Sequence, residues 1–364
     1  MKRRLRQLGR DERGVVGVLV GLLIGTVLVG LGALVIDVGQ LYRERSQLQN
    51  GADAAAIAVA KSCVVSTCTA SSALTTAVAY AGANAQGGVA GVPQVCGSGS
   101  LGTCPTSSGA MTDCPAAPAA GTNYVDVHTA TATAGGGTVV TPVFAKALLG
   151  NQNYTGTQVL ACSQAEWGGP TSANTIAFAI SACDWDAATA QGATYAPPPP
   201  AIPPASVDRV LMVHTSTNSG SGCSTEPAGS DAPGNFGWTD DPTSTCTISV
   251  SGGTFTGNPG ASASNACKAV LASAQSSRSV VYIGVYTTIT GTGANSVYTL
   301  KGFAAFVVTG YHLPGASASD WLNPANDCSG SNKCINGYFT QGLIPSTGSL
   351  GGTYLGAAII KITG

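Results

Sequence analysis

Charge is what this sequence has least of. Its 364 residues carry 16 Lys+Arg and 17 Asp+Glu, so 9% are charged, where an ordinary soluble domain carries roughly 25%. Because 44% of the residues are apolar, this is not a disordered charged tail. There is no body-wide basic patch, which argues against nucleic acid as a partner. Histidine is scarce, and His128, His214 and His312 lie far apart. No two cysteines are spaced C-x-x-C. A zinc site needs ligands in close sets, so no metal is expected, and no other cofactor is indicated. The G-x-S-x-G, H-E-x-x-H and P-loop patterns are missing as well, so no catalytic residue is assigned and an enzyme is not expected.

Two local features come nearest to chemistry. Asp184/Asp186 and Asp240/Asp241 are close carboxylate pairs on which a hydrolase site could draw, but turn and cap roles are the commoner explanation. Val210-Leu211-Met212-Val213-His214-Thr215-Ser216 resembles the first strand and metal loop of a von Willebrand A domain. That loop needs Asp where His214 stands, and a neutral imidazole does not offer the oxygen a hard divalent cation prefers. Asn153-Tyr154-Thr155 fits an N-glycosylation sequon, read here as coincidence.

Long apolar runs are also scarce. Only one long charge-free apolar run exists, residues 14–36, which excludes a multi-span transporter. At about 1.5 Å per residue it is roughly 35 Å long, enough to cross a hydrocarbon core of about 30 Å. Lys2, Arg3, Arg4, Arg6, Arg10 and Arg13 precede it, and Asp37 is the first charge after it. The positive-inside rule then expects residues 1–13 in the cytoplasm and everything after about residue 37 outside. A cleaved signal peptide competes with this reading. Its apolar core is shorter, about 7–15 residues, and Ile36-Asp37-Val38-Gly39 is a poor cleavage site, so an uncleaved anchor is expected. Gly17, Gly21 and Gly25 repeat every four residues and would let a second helix approach closely.

Residues 37–62 keep a helical pattern. Val38, Leu41, Leu48, Ala52, Ala55 and Val59 form a stripe with Arg45 as its polar breach. The stripe suits docking on the protein's own globular part, or self-association through Leu41, Leu48 and the three glycines.

The polar marks around this helix carry a resemblance. They are Glu12-Arg13-Gly14, Ile36-Asp37-Val38-Gly39, Gln40-Leu41-Tyr42 and the tract Gln47-Leu48-Gln49-Asn50-Gly51-Ala52-Asp53-Ala54-Ala55. Residues 11–60 resemble the N-terminal membrane domain of TadG-like (TadE/G-like) proteins of tight-adherence (Flp) pilus assembly. Looser similarity to actinobacterial members runs through Phe144-Ala145-Lys146, Cys183-Asp184-Trp185-Asp186, Asn235-Phe236-Gly237-Trp238 and Cys334-Ile335-Asn336-Gly337-Tyr338-Phe339. Processed pilins of that system are cut after a Gly and carry a Glu five residues on. Here Gly9 is followed at that place by Gly14, and Gly14 by Leu19. The resemblance therefore implies an anchored accessory component and not the major pilin. Its implied partners are other pilus-assembly membrane proteins or pilins, besides the lipid bilayer.

Twelve cysteines follow the apolar run, an even number that reads as disulfides in an oxidising compartment. The expected local pairs are Cys63/Cys68, Cys162/Cys183, Cys223/Cys246 and Cys328/Cys334, with connectivity otherwise open. Helices are expected at residues 71–86 and 262–276, and another capped by Asp184 or Asp186. Residues 87–120 read as a stapled loop. Strand patterns cover 124–134, 138–144, 157–162, 209–213, 246–250, 279–287, 297–309 and 354–362, with 142–149 a helical alternative. Residues 196–206 hold six prolines and read as a linker or strap between subdomains 63–195 and 207–364.

The expectation is thus an α+β protein: an N-terminal single-pass transmembrane helix with a helical extension, then a β-rich, disulfide-stapled extracellular region. The functional expectation is a non-enzymatic accessory component of pilus assembly at the bacterial cell membrane. A surface adhesin or binding module on the same anchor is the alternative, and a secreted hydrolase the third reading.

Overall fold

No proline interrupts residues 12–65, and their second half is rich in alanine, the best helix former. In the computed structural model this stretch is one unbroken helix, α1 (Glu12–Val65), so the apolar run and its extension are a single element. The structure describes residues 12–66, 68–85, 87–105, 114–119, 121–145, 154–212, 236–241, 243–251, 253–258, 262–291, 295–330, 332–345 and 348–363. His214, Cys223, the sequon residue Asn153, the Thr215-Ser216 end of the metal-loop look-alike and residues 1–11 of the basic segment lie outside them. A second helix, α2 (Ala70–Ala83), opens on a capping box: Thr69 Oγ1 accepts from Ser72 N–H, and Ser72 Oγ accepts from Thr69 N–H.

The body that follows is α+β. Its first part contains β1 (Gly91–Gly97), β2 (Asn123–Ala130), β3 (Leu160–Pro170), β4 (Ala173–Ile176), β5 (Phe178–Ser181) and α3 (Ala182–Thr189). After the Pro-rich segment come β6 (Arg209–Met212), β7 (Phe236–Trp238), β8 (Thr247–Val250), β9 (Thr254–Thr256) and α4 (Asn265–Ser277). The chain finishes with β10 (Val280–Thr290), β11 (Val297–Leu313), β12 (Ala316–Ala318), β13 (Cys334–Thr340), β14 (Gly342–Leu343), β15 (Leu350–Tyr354) and β16 (Ala357–Ile362).

Fourteen of these strands join one mixed sheet whose main path runs β1-β2-β3-β15-β11-β10-β5-β7, while β4 and β8 pair separately. β11 is the centre. Phe303 through Val308 are fully buried, with β10 along one edge and β15 and then β13 along the other, which explains why this strand reads as a continuous apolar run. Two core clusters fill the body. One packs Phe178, Trp238, Leu271, Phe303, Phe306 and Ile335, among others. The other gathers the second half of α1, α2, and the face of β2, β3 and β16 that carries Val125, Val127, Ala165 and Ala358.

The expected boundary at 196–206 does not separate these cores. β16 pairs with β3 over Ala165–Gly168, and β5 pairs with β10 and β7, so each core draws on both sides of the Pro-rich segment. That segment is a strap: Ala196 N–H donates to Phe339 O at 3.0 Å, and Thr340 Oγ1 donates to Ala196 O at 2.7 Å.

Several local expectations are replaced. Ser181, not Asp184 or Asp186, caps α3, accepting from Asp184 N–H. The loop expected over 87–120 contains β1, paired with β2. In place of the strand expected over 138–144 there is one bridge, Val140 to Thr157, because Pro142 cannot donate to a ladder.

Disulfides join Cys63–Cys68 and Cys328–Cys334, as the local spacing suggests. Cys96–Cys104, Cys114–Cys162 and Cys246–Cys267 are also joined. Cys162 therefore does not pair with Cys183, nor Cys246 with Cys223. β3 runs on to Pro170, carrying the chain about 26 Å away from Cys162 before Cys183 is reached. Cys246 instead meets the first turn of α4, with its Cα 4.7 Å from that of Cys267. Peptide mapping without reduction should recover Cys114–Cys162 and Cys246–Cys267 as linked pairs.

Beside the strap lies a buried polar cluster. Asp208 accepts from Thr309 Oγ1 at 2.8 Å, and Asp320 accepts from the backbone of Leu322 and Asn323 and from Asn336 Nδ2. Burial, with the neighbouring Asp320 charge adding to it, pushes the Asp208 carboxyl up to about 8. Unfolded, the same group titrates near ~4. Between those values the folded chain holds a proton that the unfolded chain has lost, so stability falls as pH rises towards 8. Asp208→Asn should flatten this fall. The difference is on the order of a few kcal/mol, read from denaturant midpoints at pH 5 and pH 8.

Candidate membrane anchor and its seat on the body

α1 meets two different surroundings along one axis. From Val15 to Ile36 its large apolar side chains are exposed on all sides. An added Cβ at Gly17, Gly21 or Gly25 would meet no atom within 4 Å, so among the described residues the glycine face has no helix against it. A uniformly apolar exposed helix is costly in water and suited to lipid, and its length and composition fit a membrane anchor.

Beyond residue 47 the same helix is seated. Leu48, Ala52, Ala55, Ala56, Val59, Ala60 and Val64 are buried against Ala73, Ala77 and Ala81 of α2 and against the sheet. This is the stripe legible in the sequence, and its partner is the protein's own body. Leu41 at the seat's edge is half-buried, and Val38 is exposed. Small side chains let backbones approach closely: a Cβ on Gly51 would stand 3.1 Å from Ala81 O. Polar contacts fix the register. Thr129 Oγ1 of β2 donates to Leu48 O at 3.0 Å, and Gln49 Nε2 donates to Cys162 O of β3 and to Asp53, both at 2.9 Å.

Between span and seat stands Asp37. Its carboxylate accepts backbone N–H bonds from Val143 (2.8 Å), Phe144 (3.1 Å) and Ala145 (2.6 Å). Charge-assisted bonds to three successive amides make this a strong polar link from α1 to a distant segment. The sequence marked Asp37 only as the first charge after the apolar run. No periodicity relates it to residues 143–145.

The residues considered for chemistry go elsewhere. Asp184 is buried and bonded by Ser181 Oγ, while Asp186 forms an ion pair with Lys301 at 3.2 Å. Asp241 closes a turn by accepting from Thr245 and Cys246 N–H. His312 contacts Gly330 O at 3.2 Å. Two groups could be mistaken for metal sites, Cys114–His128–Cys162 and Cys96–Cys104–Asp126. In both, the two sulfurs are bonded to each other and are not thiolates. Burial pushes the Asp126 carboxyl up to about 6, against the opposing effect of the Gln164 amide bonded to it.

The seat can be tested by unfolding the purified chain in detergent. Leu48→Ala should cost about 2–5 kcal/mol. Thr129→Val should cost about 1 kcal/mol. Gly51→Leu should exceed the threonine change, since the Ala81 backbone cannot move aside.

No curated protein and no solved structure matches the chain. Residues 14–62 match the family described as Putative Flp pilus-assembly TadE/G-like, a match that covers the exposed span and most of the seated half of α1.

Proposed function

We propose that the protein is a membrane-anchored, non-enzymatic accessory component of tight-adherence (Flp) pilus assembly. The observation that carries this reading is the family match over residues 14–62, which coincides with a helix half exposed and apolar and half seated on the body. In this reading the basic residues before the span stay in the cytoplasm and the disulfide-bonded body stands outside. The partners are pilins or membrane proteins of the assembly machine, reached through Gly17, Gly21 and Gly25 or through the body's surface.

A second reading, an adhesin or binding module on the same anchor, is favoured by the extent of the match: the body beyond residue 62 lies outside it. Two measurements separate these readings. Affinity capture of the full chain from detergent-solubilised cells should recover pilus-assembly components, and a deletion strain should lose most of its pili. Normal piliation with impaired surface attachment would favour the adhesin.

A further inference from the structure

The Asp37 link sits at an unusual height. Asp37 is the first charged residue after the apolar run, so with the run in a bilayer its carboxylate lies at the outer edge of the hydrocarbon. There it holds the amides of residues 143–145. The side chains carried by those amides are apolar and open: Val143 is 55% and Phe144 39% exposed.

A second observation comes from the helix itself. Ala33, one turn before Asp37 on the same face, is only 6% exposed, although Leu31, Leu34, Val35 and Ile36 around it are open. The protein therefore covers α1 on the Asp37 face about 6 Å into the apolar run. The exposed apolar side chains of the span end at Asp37, and Val143 and Phe144 are held at that same residue.

The geometry points to residues 143–145 as a second membrane contact, with Val143 and Phe144 immersed at the boundary between lipid headgroups and acyl chains and Asp37 fastening them there. This rests on the anchor reading above. An aromatic ring suits that depth. The three N–H bonds let a carboxylate and three amides leave water together, each satisfied by the other. One helix alone would let the span and the body seated on it tilt together in the bilayer. A second contact beside it fixes which side of the body faces the membrane.

The test places the full chain, disulfides intact, in phosphatidylcholine vesicles brominated either near the ester end or near the methyl end of the acyl chains. Added tryptophan emission is read over that of Trp167, Trp185, Trp238 and Trp321. Phe144→Trp should be quenched at least twofold more by the shallow bromines than by the deep ones, and Ile24→Trp in mid-span should show the reverse. Adding Asp37→Ala, or the closer mimic Asp37→Asn, to Phe144→Trp should reduce shallow quenching at least twofold. Quenching of Ile24→Trp without quenching of Phe144→Trp would overturn the second contact and leave the anchor standing. Absence of quenching at Ile24→Trp would overturn the anchor itself. Shallow quenching of Phe144→Trp that is indifferent to both Asp37 changes would overturn the fastening role.

Discussion

One helix has to satisfy two solvents, and the rest of the structure follows from that. The first half of α1 is apolar, and from Val15 to Ile36 its large side chains are exposed, with only Ala33 covered. The second half is apolar on one stripe and needs a surface on which to bury it. Because no proline or loop separates the halves, the axis of the membrane segment and the axis of the seat are the same line. The body's position is therefore set by a rigid element and not by a tether. The seat is built of alanine and glycine, so each contact buries little area, but backbones come close enough for Thr129 and Gln49 to bond across.

Much of this could be read from local pattern. The apolar run and the stripe from Leu48 to Val59 follow helical spacing, and nothing in the sequence contradicts them. β10 and β11 were visible as long apolar or alternating segments, because a central strand buried on both faces needs such residues throughout. Residues 262–276 likewise resolved into α4, capped by Ser264.

What was hidden is what depends on pairing at a distance. β16 closing on β3 fuses two regions that a Pro-rich segment had seemed to divide, and no composition shift announces it. Cys162 bonds to Cys114 because strand length carries it away from its next neighbour, which spacing alone does not reveal. Asp208, Asp320 and Asn336 form one buried cluster from three separate stretches, while of the adjacent pairs Asp184 is bonded by the capping Ser181, Asp186 forms an ion pair and Asp241 closes a turn. Proximity in sequence was a poor guide to shared chemistry here, since a long β-sheet makes most of its contacts between residues far apart.

The closing strand also governs the order of events as the protein is made. Ala358 of β16 belongs to the same cluster as Leu48 and Val59 of α1. The helix emerges long before β16, yet its binding surface is incomplete until that strand has arrived. Contacts of such long separation form slowly. Until they form, the alanine face of the newborn helix stays bare, and during that interval it is open to capture by a chaperone or an assembly partner.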